Sequence, residues 1–200
     1  CAENTKHLTN YSTLNSARDL EILRAVLGDK KLNFLGKSYG TYLGTLYAEL
    51  FPEKVGRFVL DGAVDPNSSN RESVLGQATG FESALNAFID NCLNRSSCAL
   101  TGDLQSARIQ IVDLLAQTAI TPLKSKSGRK VPEGLVLLGI ASALYDSESG
   151  WPILRDAFKE ATLGTGTSFL TLADQYAGRQ ENGSYLSNEN DALQVISCLD

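Results

Sequence analysis

The stretch FLGKSYGTYLG, residues 34–44, joins two kinds of pattern within a few positions. The apolar run KLNFLG, 31–36, is bounded by charge and glycine and reads as a buried strand. A helix-forming run, YGTYLGTLYAELF, begins directly after Ser38 and is stopped by Pro52. A second apolar run, VGRFVLDG at 55–62, reads as another buried strand. Two strands joined through one helix by short links predict a βαβ unit with parallel pairing. Upstream, YSTLNSARDLEILRAVLGDK predicts a helix capped at Thr13 or Ser16 and ended by Gly28, with Leu20, Leu23 and Leu27 on one face.

The character changes after residue 66. NSSNRES is polar and loop-like, and from about 70 to 197 the pattern is helical. Helices are expected over 71–94 and 103–119, then from Pro132 to about 145, from Pro152 to Gly164, and from a Thr167 cap to Gly178. The basic stretch KSKSGRK, 124–130, reads as a solvated turn, and no strand alternation is evident in this half. The chain is expected to divide near residue 66, with a strand-and-helix unit first and an all-helical block of about 130 residues after it. Two strands do not make a stable sheet alone. The first part is therefore expected to pair its exposed edge with missing parts of its own fold or with another chain.

Gly36-Lys-Ser38-Tyr-Gly40 has the Gly-x-Ser-x-Gly form. Its meaning depends on context, and here a strand precedes it and a helix follows. A serine on such a sharp turn presents its hydroxyl at the end of the sheet, which suits a nucleophile. Bulky side chains two positions either side would collide, which accounts for Gly36 and Gly40. The Tyr39 amide, at the helix N-terminus, can stabilise an oxyanion. A phosphate-cradling loop would read GxxxxGK[ST], which is absent. The bland alternative is an ordinary Gly-rich turn. His7, the single histidine, precedes the serine, whereas sites built on a Gly-x-Ser-x-Gly nucleophile turn take their triad in the order Ser, acid, His. Asp61 is a minor candidate acid, and Asp61-Gly62 also reads as a simple turn.

The formal net charge is −5 and the pI near 5, so no basic footprint for nucleic acid exists. No apolar run is long enough to span a membrane. The chain has no Met and starts with a cysteine, which suggests a piece of a longer, processed protein. The four cysteines are Cys1, Cys92, Cys98 and Cys198. Their even number, with two of them close together in CLNRSSC, fits disulfides in an oxidising compartment. Cys92–Cys98 is the expected bond, and Cys1 with Cys198 a second candidate. Zinc spacing is lacking, and neither metal nor cofactor is expected. Sequons stand at Asn10, Asn67, Asn94 and Asn182.

Residues 1–66 resemble the secreted tripeptidyl aminopeptidase family of α/β-hydrolases, serine peptidases related to prolyl aminopeptidase. The features are the leading Cys, the Thr-x-x-x-Ala-Arg-Asp-Leu helix, GKSYGTYLG, LFPEKVGR and VLDGAVDP. The remainder is looser: a helical part with a Cys pair, ending in Cys-x-Asp as SCLD. The resemblance implies a parallel-sheet hydrolase: a partial α/β core over 1–66, a helical lid inserted after VLDG over 67–197, and the start of a return to the core at 198–200. It gives Ser38 the nucleophile's role, with the Tyr39 amide in the oxyanion hole. It also implies that the triad acid and histidine follow the lid, outside this chain, and that the chain alone is inactive. The substrate would be a peptide with a free N-terminus, whose α-amine a lid acid such as Glu72, Glu82, Glu133 or Glu148 binds. The rivals are an esterase on the same fold and a non-catalytic, peptide-binding helical module.

Overall fold

A computed structural model describes residues 7–200. A short 3-10 turn, Leu8–Asn10, leads to helix α1, Thr13–Val26. Strand β1 (Leu32–Lys37), helix α2 (Tyr39–Leu50), a second 3-10 turn (Pro52–Lys54) and strand β2 (Val55–Asp61) follow. β1 and β2 pair in parallel, with Phe34 opposite Phe58, Gly36 opposite Leu60 and Lys37 opposite Asp61. The α2 crossover is what a parallel pair needs. The chain divides into two units. One holds the described residues up to Val74 together with Asn188–Asp200, and the other holds Leu75–Ser187.

In the first unit α2 lies close on the sheet because Gly44 lets it. A Cβ there would come within 2.8 Å of Phe34 Cε1 and 2.9 Å of Leu60 Cδ2. Tyr47 is fully buried against the rings of Phe51 and Phe58, at centroid distances of 5.3 and 5.9 Å. Its hydroxyl donates to Glu21 Oε2 at 2.7 Å, and Arg24 Nε donates to the same oxygen at 2.8 Å. Hydrogen bonds from Arg24 and Tyr47 hold the Glu21 carboxyl down from an ordinary 4.5 to about 2. Burial, then Glu21, pushes the Tyr47 phenol up to about 12.

Helix α1 differs from expectation in two respects. Its cap is Ser12, which accepts from the Asn15 amide at 3.4 Å, so Thr13 is the first helical residue and its hydroxyl is free for another task. Its buried positions are Thr13, Ala17 and Arg24, while Leu23 and Leu27 are exposed. The Glu21–Arg24 pair meets Tyr47 and turns that side of α1 towards α2, so the leucines lie round the helix from the contact.

The second unit is helical, with one small ribbon. Helix α3, Asn70–Leu93, contains the division between the units. Helices α4 (Leu104–Ile120), α5 (Glu133–Leu144), α6 (Gly150–Ala161) and α7 (Thr167–Tyr176) complete it, and α8 (Glu189–Ser197) belongs to the first unit. Strands β3 (Leu123–Lys124) and β4 (Lys130–Val131) form an antiparallel pair that sequence periodicity does not reveal, because each is two residues long. The turn between them is held by Ser125 Oγ donating to the Arg129 carbonyl at 2.7 Å. Helix α6 starts at Gly150 rather than Pro152, and α7 is preceded by Gly166 as its cap position while the Thr167 hydroxyl accepts from the Lys126 amide. Phe88 stacks on Phe158, which meets Phe169 edge to face, in a core that also buries Ile89, Ile111, Val136, Ile140 and Leu154. A Cys92–Cys98 disulfide, Cα–Cα 5.2 Å, closes the loop after α3. Cys198 is exposed and in no disulfide among the described residues, and its expected partner Cys1 lies outside them.

Candidate active site

Ser38 is the one residue between β1 and α2. Its backbone, φ 50° and ψ −118°, lies where L-residues are rare and glycine is at ease. Such strain is held only where surroundings over-determine it, and three contacts do so here. The Ser38 amide donates to the Asp61 carbonyl at 2.9 Å, tying the turn to the end of β2. The buried Thr41 hydroxyl donates back to the Ser38 carbonyl at 2.7 Å and accepts from the Val64 amide at 2.9 Å. Gly36 provides the room: a Cβ there would meet the Gly40 carbonyl carbon at 2.6 Å and Phe34 Cε1 at 2.7 Å.

Gly40 plays a different part from the one its spacing suggests. A Cβ on it would meet nothing within 4 Å among the described residues. The clash runs one way: it is the Gly40 backbone that Gly36 must clear.

The Ser38 side chain is exposed and makes no cap hydrogen bond to α2. The Tyr39 amide, at the first position of α2, has no acceptor among the described residues. An exposed hydroxyl beside an open amide at a positive helix end can attack a carbonyl carbon and hold the resulting oxyanion. Among the described residues the hydroxyl has no base beside it. His7 is exposed and, among the described residues, hydrogen-bonds through its backbone alone, capping the first 3-10 turn. Asp61 contributes its carbonyl rather than its carboxylate, and Asp65 Oδ1 is occupied by the Asn67 amide at 2.9 Å. No acid–histidine pair faces Ser38 among the described residues.

Beside the turn is a cavity of about 210 Å³ lined by Tyr39, Tyr42, Asp65, Ser68, Ser197 and Asp200, among others. Burial raises the Tyr39 phenol above its ordinary range, and the charge of Asp200 adds to the rise. Thr41, Thr13 and Asp200 are the site residues that sequence reasoning missed. Thr41 had a local signal, since a threonine three residues on can bond back to the Ser38 carbonyl. Thr13 and Asp200 lie 187 positions apart and had none.

Of the four candidate acids, two are committed elsewhere. Glu72 closes a capping box at the start of α3, where Oε2 accepts from the Ser69 amide at 2.8 Å and hydroxyl at 2.7 Å. Glu82 pairs with Arg108. Glu133 and Glu148 have no ion pair among the described residues. No cluster of three or more His, Cys, Asp or Glu suited to a metal ion, and no helix long and apolar enough to cross a membrane, occurs among the described residues.

Residues 1–108, just over half of the chain, match the family described as alpha/beta hydrolase fold. The serine protease Hip1 of Mycobacterium tuberculosis (strain ATCC 25618 / H37Rv) is 39% identical over 96% of this chain and 38% of its own length. A tripeptidyl aminopeptidase of Streptomyces lividans is 31% identical over 96% of the chain and 36% of its own length. A carboxylesterase B of Mycobacterium tuberculosis (strain CDC 1551 / Oshkosh) is 37% identical over 96% and 37%. The chain thus spans little more than a third of the length of these relatives. With its strand, strained serine turn and helix in the matched segment, the chain belongs to the α/β-hydrolase family, alongside serine peptidases such as tripeptidyl aminopeptidase.

Proposed function

We propose that this chain carries the nucleophile of a serine exopeptidase that removes short N-terminal pieces from peptides through an acyl-enzyme on Ser38. The observation that carries the reading is the Ser38 turn: φ 50°, an exposed hydroxyl, and an uncapped Tyr39 amide beside it. The triad acid and histidine are supplied from outside residues 1–200, as is a second oxyanion donor. The helical unit Leu75–Ser187 acts as the lid, with Glu133 or Glu148 as the residue that receives the peptide's α-amine. The isolated chain is inactive, because a serine without a base is a weak nucleophile at neutral pH. An extracytoplasmic location is supported by the Cys92–Cys98 bond, since disulfides persist in oxidising compartments. The two-stranded sheet pairs with further strands, of the same polypeptide or of another chain.

A carboxylesterase is the second reading, supported by the relative of that name. The full-length protein separates the two when given three substrates: a tripeptidyl anilide with a free amine, its N-acetylated form, and a p-nitrophenyl ester. The exopeptidase reading expects acetylation to abolish turnover of the anilide. Equal turnover of both anilides, or turnover of the ester alone, overturns it.

A further inference from the structure

The SCLD segment has no part in the reading above, yet its aspartate reaches the nucleophile turn. Asp200 follows α8, and its amide donates to the Ile196 carbonyl at 3.1 Å, which fixes it to that helix end. Its Oδ1 accepts from the Thr13 amide at 2.8 Å, and its Oδ2 accepts from the Thr13 hydroxyl. Thr13 is fully buried and is the first residue of α1, so a carboxylate there satisfies an orphan amide and sits at the favourable end of the helix dipole. The Thr13 hydroxyl also hydrogen-bonds the hydroxyl of Tyr39, the residue next to Ser38.

Proton counting fixes the direction of this chain. A carboxylate only accepts, and a threonine hydroxyl has one proton. Thr13 therefore donates to Asp200 and accepts from Tyr39, whose own O–H must donate. Each member has a single role, and the ring of Tyr39 is held at its far end while its amide begins α2.

We propose that Asp200 is a positioning residue for the candidate oxyanion donor: through the Thr13 hydroxyl it fixes the Tyr39 side chain, and with it the backbone joining Ser38 to α2. This deepens the serine-hydrolase reading and rests on it for its catalytic meaning. Asp200 touches neither Ser38 nor a reacting atom; it acts through Tyr39.

The test is a double-mutant cycle in the full-length protein, with Asp200→Ala, Asp200→Asn, Tyr39→Phe and the Asp200→Ala/Tyr39→Phe pair. Two signals are read: hydrogen exchange of the amides of residues 38–44, and the rate of fluorophosphonate labelling at Ser38. Loss of a hydrogen bond to a charged group predicts that Asp200→Ala speeds that exchange and slows labelling by about tenfold or more. Asp200→Asn, which keeps an acceptor, restores both to within about threefold of the parent. In the Tyr39→Phe background, Asp200→Ala has almost no further effect on either, because the path is already cut. Additive effects in the pair, or no rescue by asparagine, overturn the proposal and leave Asp200 a support for α1 and α8 alone. Exchange is read whether or not Ser38 reacts, so an unlabelled parent protein defeats the hydrolase reading while the cycle still decides the positioning.

Discussion

Ser38 holds a backbone conformation that glycine would adopt without strain, and replacing it separates stability from reactivity. A non-glycine residue in such a region costs about 1–3 kcal/mol. Ser38→Ala removes the hydroxyl and keeps the Cβ, so the strain stays. Ser38→Gly removes both. Glycine gives back about 0.5–1 kcal/mol through the freer unfolded chain. The glycine variant of the full-length protein should then be more stable than the alanine variant by about 1 kcal/mol. Equilibrium urea unfolding of the two, side by side, measures this directly, and neither should turn over substrate. The Asp61, Thr41 and Val64 hydrogen bonds are backbone or Thr41 contacts that both variants retain, so they cancel in the comparison. A glycine variant less stable than the alanine variant by the full entropic loss of about 0.5–1 kcal/mol would show that the turn stores no strain.

Gly36→Ala should destabilise the protein by about 1–3 kcal/mol and suppress Ser38 labelling, because its Cβ meets the Gly40 backbone and the Phe34 ring; urea unfolding and the labelling rate check both. Glu21, held at about 2 against an ordinary 4.5, contributes stability that is full above pH 4.5 and lost as the pH falls towards 2. Glu21→Gln should flatten that part of the stability–pH curve, and an unchanged acid limb would refute the role of the Arg24 and Tyr47 contacts. Replacing Cys92 and Cys98 together by alanine should cost about 2 kcal/mol from the freed short loop, read as a lower urea midpoint.

The elements around Ser38 were legible because their signals are local. β1, α2 and β2 fall within a residue or so of the apolar runs that predict them, since Pro52 and the glycines punctuate the chain. The serine turn was legible for the same reason. What the sequence concealed depends on partners far along the chain. Thr13 reads as a cap, yet Ser12 takes that place and Thr13 is drawn to Asp200. Leu20, Leu23 and Leu27 read as one face of α1, yet Leu23 and Leu27 are exposed, and the ion pair of Glu21 and Arg24 with Tyr47 sets the rotation of that helix. Gly40 reads as a partner of Gly36 in clearance, though only a structure shows which backbone approaches which. Glu72 reads as a substrate acid, and its spacing from Ser69 was also a capping-box signal.

The central claim is that Ser38 is a nucleophile. Its most direct measurement is intact-mass analysis and peptide mapping of the full-length protein after treatment with a fluorophosphonate, beside Ser38→Ala and residues 1–200 alone. The account predicts one adduct per molecule on Ser38 in the full-length protein, none in the alanine variant with turnover down by roughly 10⁴-fold or more, and none on the isolated chain. An adduct at another residue, or an alanine variant that keeps more than about a tenth of the activity, would contradict it, because triad losses cost several orders of magnitude.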